Sequence, residues 1–171
     1  VILFIDTEWA DVLANELVSL ALVSDCGRYE FYAERDPLPD ESTEFVRTIV
    51  YPLLERGEFA MSDVDFTRGL HAFFGTVQRA ANPRRVSVAY DHRNDLDLLG
   101  IALDAFDTPH SPPRPAFEAI ELAALGAPYT RAVEACFVRD PALGTRRHHA
   151  LIDARVNRDA WLSLQGRTTP T

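Results

Sequence analysis

Cysteine is nearly absent from this 171-residue chain, with Cys26 and Cys136 the only two. Two thiols are too few for a disulfide framework or a thiolate metal centre, and neither lies in a recognisable nucleophile motif. A reducing, cytoplasmic setting is therefore expected. No apolar run approaches the roughly 18 residues that a membrane helix needs, so no membrane partner is expected. The opening run Val1 to Asp6 lacks a basic leader and ends in charge, which reads as a strand and not as a signal peptide. Repeats and low-complexity tracts are also missing. Positive charge is scarce, with 17 Lys+Arg against 26 Asp+Glu and a net charge of −9. That deficit excludes a protein that holds long nucleic acid by bulk charge alone. It leaves room for one whose carboxylates hold metal ions and whose metals hold phosphate. What remains, 47% hydrophobic and 25% charged residues, is the composition of an ordinary globular protein. The length suits a single domain over 1–171.

The first third reads as an antiparallel meander over 1–34. Val1 to Asp6 and Glu16 to Ser24 are apolar runs, and Arg28 to Ala33 alternates after the Asp25-Cys26-Gly27 turn. Thr43 to Glu55 reads as a helix that Pro52 kinks or breaks. Ser62 caps a helix that runs to about Ala81 with Leu70, Phe73, Phe74 and Val77 at helical spacing, and Asn82-Pro83 stops it. Val86 to Tyr90 reads as a strand, and a helix follows through Leu96, Leu98, Leu99 and Ile101. Thr108 to Pro115 holds four of the eleven prolines and reads as a loop. Ala116 to Glu118 reads as a short strand and Ala119 to Leu125 as a helix. Residues 127–147 give no clear pattern. The last helix spans about His149 to Leu164 (the site helix, 148–165), and 166–171 reads as a frayed tail. This order predicts an α/β chain with a central mixed five-stranded sheet flanked by helices.

Three acidic pieces stand out. Asp6-Thr7-Glu8 ends the first strand, where residues i and i+2 share a face roughly 6–7 Å apart. Carboxylates placed directly after an apolar run lose hydration and need a partner or a metal, although Asp63-x-Asp65 and Asp95-x-Asp97 repeat the spacing. Tyr90-Asp91 ends another strand, and parallel strands collect their C-terminal ends on one side, where sites form. Asp91 alone reads equally as a helix N-cap, and Asp95 lies one turn further on. His148 and Asp153 form the third piece. On one continuous helix they would point about 140° apart, so convergence needs His148 on the loop before the helix.

Taken in order, these pieces resemble the DEDDh exonucleases of the DnaQ-like, ribonuclease H-like superfamily. Asp6-Thr7-Glu8 matches that family's D-x-E, and His148, Ala150, Asp153 and Ala154 match H-x-A-x-x-D-A. The second motif, H-N-x-x-F-D, fits in two registers, one choosing Asp91 and the other Asp95. Over nearly its whole length the chain is similar to the RNase AS family of adenosine-specific exoribonucleases. The similar stretches are Asp6-Thr7-Glu8, Glu16-Leu17, Val46-Arg47-Thr48, Ala89-Tyr90-Asp91-His92 and Ala150-Leu151 with Asp153-Ala154-Arg155. That family's pattern favours Asp91. It has phenylalanine where Trp9 stands, and 127–147 does not match it well.

The resemblance implies a ribonuclease H-like fold and a 3′→5′ exonuclease that releases nucleoside 5′-monophosphates from single-stranded RNA. It implies two Mg²⁺ or Mn²⁺ ions held by Asp6, Glu8, Asp91 and Asp153, with His148 as general base. A homodimer is implied too. The motifs leave open an adenosine preference, a DNA or short-oligonucleotide substrate, and an inert binding module of the same fold. Around the acids, Thr7, Trp9, Glu16 and Arg155 are candidate substrate contacts. Trp9 reads either as a core residue or as a ring stacked on the 3′ base. Glu16 reads as a reader of an adenine amino group or ribose hydroxyl, or as a surface strand start. Arg155 and Arg158 read as phosphate contacts or as partners of surface acids. Tyr90 is left as core or sugar contact, and His71 and His110 as structural or surface residues.

Overall fold

The computed structural model describes residues 1–81, 85–106 and 112–167. Three apolar runs form an antiparallel meander of β1 (Ile2–Trp9), β2 (Leu17–Ser24) and β3 (Glu30–Arg35). Strand β4 (Ala60–Met61) adds to β3 in parallel. On the other side β5 (Ser87–Tyr90) pairs parallel with β1, and β6 (Glu118–Glu121) pairs parallel with β5. The sheet is mixed and six-stranded, in the order β4-β3-β2-β1-β5-β6. The expected five-stranded sheet is corrected by β4, whose two residues are too few to give a periodic signal.

Strand β1 is covered on both faces, and its period of two decides which helix each side chain meets. Leu3 and Ile5 join a core with Phe66, Leu70, Phe74 and Val77 of α1 (Asp63–Ala81) and with Leu98 and Leu99 of α2 (Arg93–Leu103). Phe4 points the other way. It packs with Phe137 of α3 (Ala127–Arg139) and with Ile152 and Val156 of the last helix. Between them, α4 is the single turn Pro141–Gly144, and the last helix, α5, spans Ala150–Leu164. Among the described residues, no helix is long and apolar enough to cross a membrane. Both cysteines are free.

Several local expectations change. Thr43 to Glu55 is not one α-helix: Val46–Val50 makes a π-helical turn and Tyr51–Leu53 a 3₁₀ turn with Pro52 inside it. Ser62 caps α1 as its sequence suggests, its hydroxyl accepting from the Asp65 N–H at 3.2 Å. Asn82-Pro83 and His110 lie outside the described residues, as does part of the Thr108–Pro115 loop and of the 166–171 tail. The helix expected over Ala119–Leu125 is replaced by β6 and a 3₁₀ turn at Ala123–Leu125. Pairing alongside β5 overrides the local helix preference of alanine and glutamate. In 127–147, Pro128 stands in the first turn of α3, a place where proline starts a helix.

Candidate functional site

The site grows from the C-terminal ends of β1 and β5. Phe4 pairs with Ala89, so two residues further along each strand Asp6 and Asp91 come next to each other. Glu8 follows Asp6 on the face that meets α5. Alternation would send Trp9 to the opposite face, but the β1–β2 register shifts between Glu8 and Trp9. A bulge of this kind re-aims side chains at a strand end. Glu8 and Trp9 therefore both line one cleft of about 450 Å³, together with Asp6, Asp91, His148 and Asp153. Trp9 also packs at the edge of the core, and its ring lies 5.5 Å from that of His92.

Asp153 sits in the first turn of α5. His148 precedes the helix cap with φ of 72°, and its backbone N–H donates to Asp153 Oδ2 at 2.8 Å. This is the loop placement that convergence requires. One ligand atom each from Glu8, His148 and Asp153 lie within 4.8 Å of one another. His148 thus stands inside a group able to hold a cation, a place the sequence reading gave to the carboxylates alone. Asp6 and Asp91 line the same cleft beside it.

The charge of the site is unbalanced. Burial pushes the Asp6 carboxyl well above the usual range, and Asp153, Asp95, Glu8 and Asp91 add to this. Glu8 is pushed up to about 8 by burial and by Asp153 and Asp95. Asp153 rises to about 6 by burial, against the pull of the His148 N–H and Arg147. His148 is held below the usual imidazole value by burial and by Arg147. Asp153 Oδ1 is buried without a hydrogen-bond partner. Carboxylates so placed need protons or cations. Their hard oxygen donors fit Mg²⁺ or Mn²⁺.

Asp91 and Asp95 have different surroundings. Asp95 is 1% exposed. Its Oδ1 accepts from the Thr7 N–H at 3.1 Å and the Thr7 hydroxyl at 2.7 Å, and its Oδ2 from the His92 N–H at 3.2 Å. Burial raises it to about 8 against the Thr7 bonds, with Asp91 adding to the rise. Asp95 belongs to a capping box with His92, so Asp91 is not the cap.

Thr7 also lines the cleft, but it is buried and its hydroxyl is committed to Asp95, so it braces the site. The remaining candidates fall outside the cleft. Glu16 lies outside the cleft and pairs with Arg35 at 3.1 Å. Arg155 grips Glu30 through two nitrogens at 3.0 and 2.6 Å, and Arg158 is buried near Asp159. Tyr90 is core. His71 meets the Leu103 carbonyl at 3.0 Å.

Phe45 was not foreseen: its ring meets His148 edge-on at 5.0 Å and is 49% exposed. Val46 and Val50, four apart, mark the buried side of that turn, and an aromatic beside them in a polar stretch was the available signal. His92, a cleft residue as well as a cap, was also missed. No protein-family model and no curated protein matches the chain.

Proposed function

We propose that the chain is a metal-dependent 3′→5′ exoribonuclease with a ribonuclease H-like fold, acting on single-stranded, adenosine-rich RNA. One observation carries the reading: Asp6, Glu8, Asp91 and Asp153 meet His148 in one open cleft, under a charge surplus the protein does not neutralise. The four carboxylates would hold two Mg²⁺ or Mn²⁺ ions. Bound divalent cations supply the charge that admits a phosphodiester and offset charge on the attacking and leaving oxygens. His148, held below the usual imidazole value by burial and Arg147, takes the proton of the attacking water on its ring nitrogen. Trp9, tilted against His92 beside the acids, offers a ring on which the terminal base stacks.

The test is digestion of 5′-labelled oligo(A), oligo(U) and oligo(dA) with Mg²⁺, with Mn²⁺ and with EDTA. The expected result is a stepwise ladder on RNA, strongest on oligo(A) and lost in EDTA. Equal cleavage of oligo(dA) would remove the RNA assignment. No cleavage with either metal would favour an inert binding module.

A further inference from the structure

A second cavity of about 110 Å³ adjoins the same carboxylates, with Asp6, Asp91 and Asp153 in its wall beside Arg147, Asn157 and Phe137. Among the described residues lining either cavity, Arg147 is the one arginine. Its guanidinium is fixed from α3. One nitrogen donates to Glu134, and Cζ lies 4.3 Å over the Phe137 ring. The side chain keeps 41% of its surface accessible.

Asn157, on α5, is 3% exposed. Its Oδ1 accepts from the Tyr129 hydroxyl at 2.7 Å, while its Nδ2 is buried with no hydrogen-bond partner. A buried amide donor left unpaired is costly and calls for an acceptor. The cavity is thus lined by a braced guanidinium, by Asn157 with its unpaired amide N–H, and by three carboxylates. Its occupant must accept hydrogen bonds and still lie next to acids. A phosphoryl group meets both demands once cations neutralise the acids, and a planar fork of N–H donors suits its oxygens.

We propose that Arg147 and Asn157 seat a non-bridging phosphoryl oxygen of the nucleic acid, beyond the carboxylates as viewed from Trp9. The assignment rests on the nuclease reading and adds to it a protein-borne contact with the reacting phosphate. It makes the phosphate, not the base alone, a source of affinity in the acidic cleft.

The test is equilibrium binding of 5′-AMP and of adenosine in Ca²⁺, alongside oligo(A) digestion in Mn²⁺. Wild type is compared with Arg147→Ala, Arg147→Lys and Asn157→Ala, each checked for an unchanged melting temperature. Wild type should bind 5′-AMP more tightly than adenosine. Arg147→Ala should weaken 5′-AMP roughly tenfold and leave adenosine unaltered, because a charged hydrogen bond is lost. Arg147→Lys, which keeps the charge and loses the fork, should fall between. If wild type cleaves RNA but Arg147→Ala and Arg147→Lys bind 5′-AMP as wild type does, the seat is overturned and the nuclease reading stands. If wild type neither cleaves RNA nor binds 5′-AMP, both are overturned.

Discussion

Asp91 and Asp95 are separated by one helical turn and by a difference in bonding. Asp95 receives three hydrogen bonds, two from Thr7 and one from His92, inside the protein. Both line the larger cleft, but Asp91 also lines the smaller cavity beside Asp6 and Asp153, which Asp95 does not. Asp95→Ala strips acceptors from the buried Thr7 groups and should cost about 1–3 kcal/mol of stability. Asp91→Ala removes a like charge from the acid cluster, so it should leave the metal-free protein as stable or slightly more so while lowering nuclease activity by at least roughly 100-fold. Urea denaturation and oligo(A) digestion of the two variants decide this. A stable, inactive Asp95→Ala beside an active Asp91→Ala would reverse the assignment. Spacing alone left the choice between them open, because both follow a strand end, and only the family resemblance favoured Asp91. The difference lies in long-range partners, Thr7 being 88 residues from Asp95. His148 was easier to place, since helical geometry alone forbids it from meeting Asp153 unless it precedes the helix.

At the level of elements, α5 sets how closely Asp153 approaches β1. Ala150 and Ala154 are fully buried and pack with Ala21, Val23 and Tyr32 of the sheet. Small residues there let the helix axis come near the strands. Ala154→Leu inserts volume into that contact and should cost about 1–3 kcal/mol. It should also reduce activity by moving Asp153 away from Glu8. Thermal melting and digestion rates read the two effects, and an unchanged melting temperature with full activity would show that the contact has slack. This helix was legible in advance because Ala150 and Ala154 lie four apart on one face and the H-x-A-x-x-D-A motif marks its start. The meander and α1 were legible for the same reason, clear periodicity bounded by turns and a cap. Strand β4 was not, and β6 (Glu118–Glu121) was expected early, at Ala116 to Glu118. Each is held by pairing with a distant strand, and β6 is largely exposed, so no buried face marks its period.

Across the whole molecule, six of the 26 acids line the one cleft: Asp6, Glu8, Asp11, Asp91, Asp95 and Asp153. The 17 basic side chains are all arginine, which stays charged throughout the neutral range. Changes of stability near neutrality therefore fall to the buried acids and histidines. Asp6, Glu8, Asp95 and Asp153 hold protons more tightly in the folded, metal-free protein than in the unfolded chain, Glu8 and Asp95 up to about 8. The folded state then binds more protons than the unfolded one, so stability falls as pH rises from about 4 towards 8. His148 and His149 are shifted down and act in the opposite sense, below about 6.5. The interval from about 6.5 to 8 thus belongs to the carboxylates. In EDTA the melting temperature should drop by several degrees across it, since about 1 kcal/mol corresponds to roughly 2–4 °C for a chain of this size. Glu8→Gln should flatten the drop by removing one of the titrating groups. Mg²⁺ or Mn²⁺, which bind the deprotonated acids, should raise the melting temperature more at pH 8 than at pH 6.5. A metal-free protein whose melting temperature holds or rises between those values would show that the cluster is not under the electrostatic load that calls for cations.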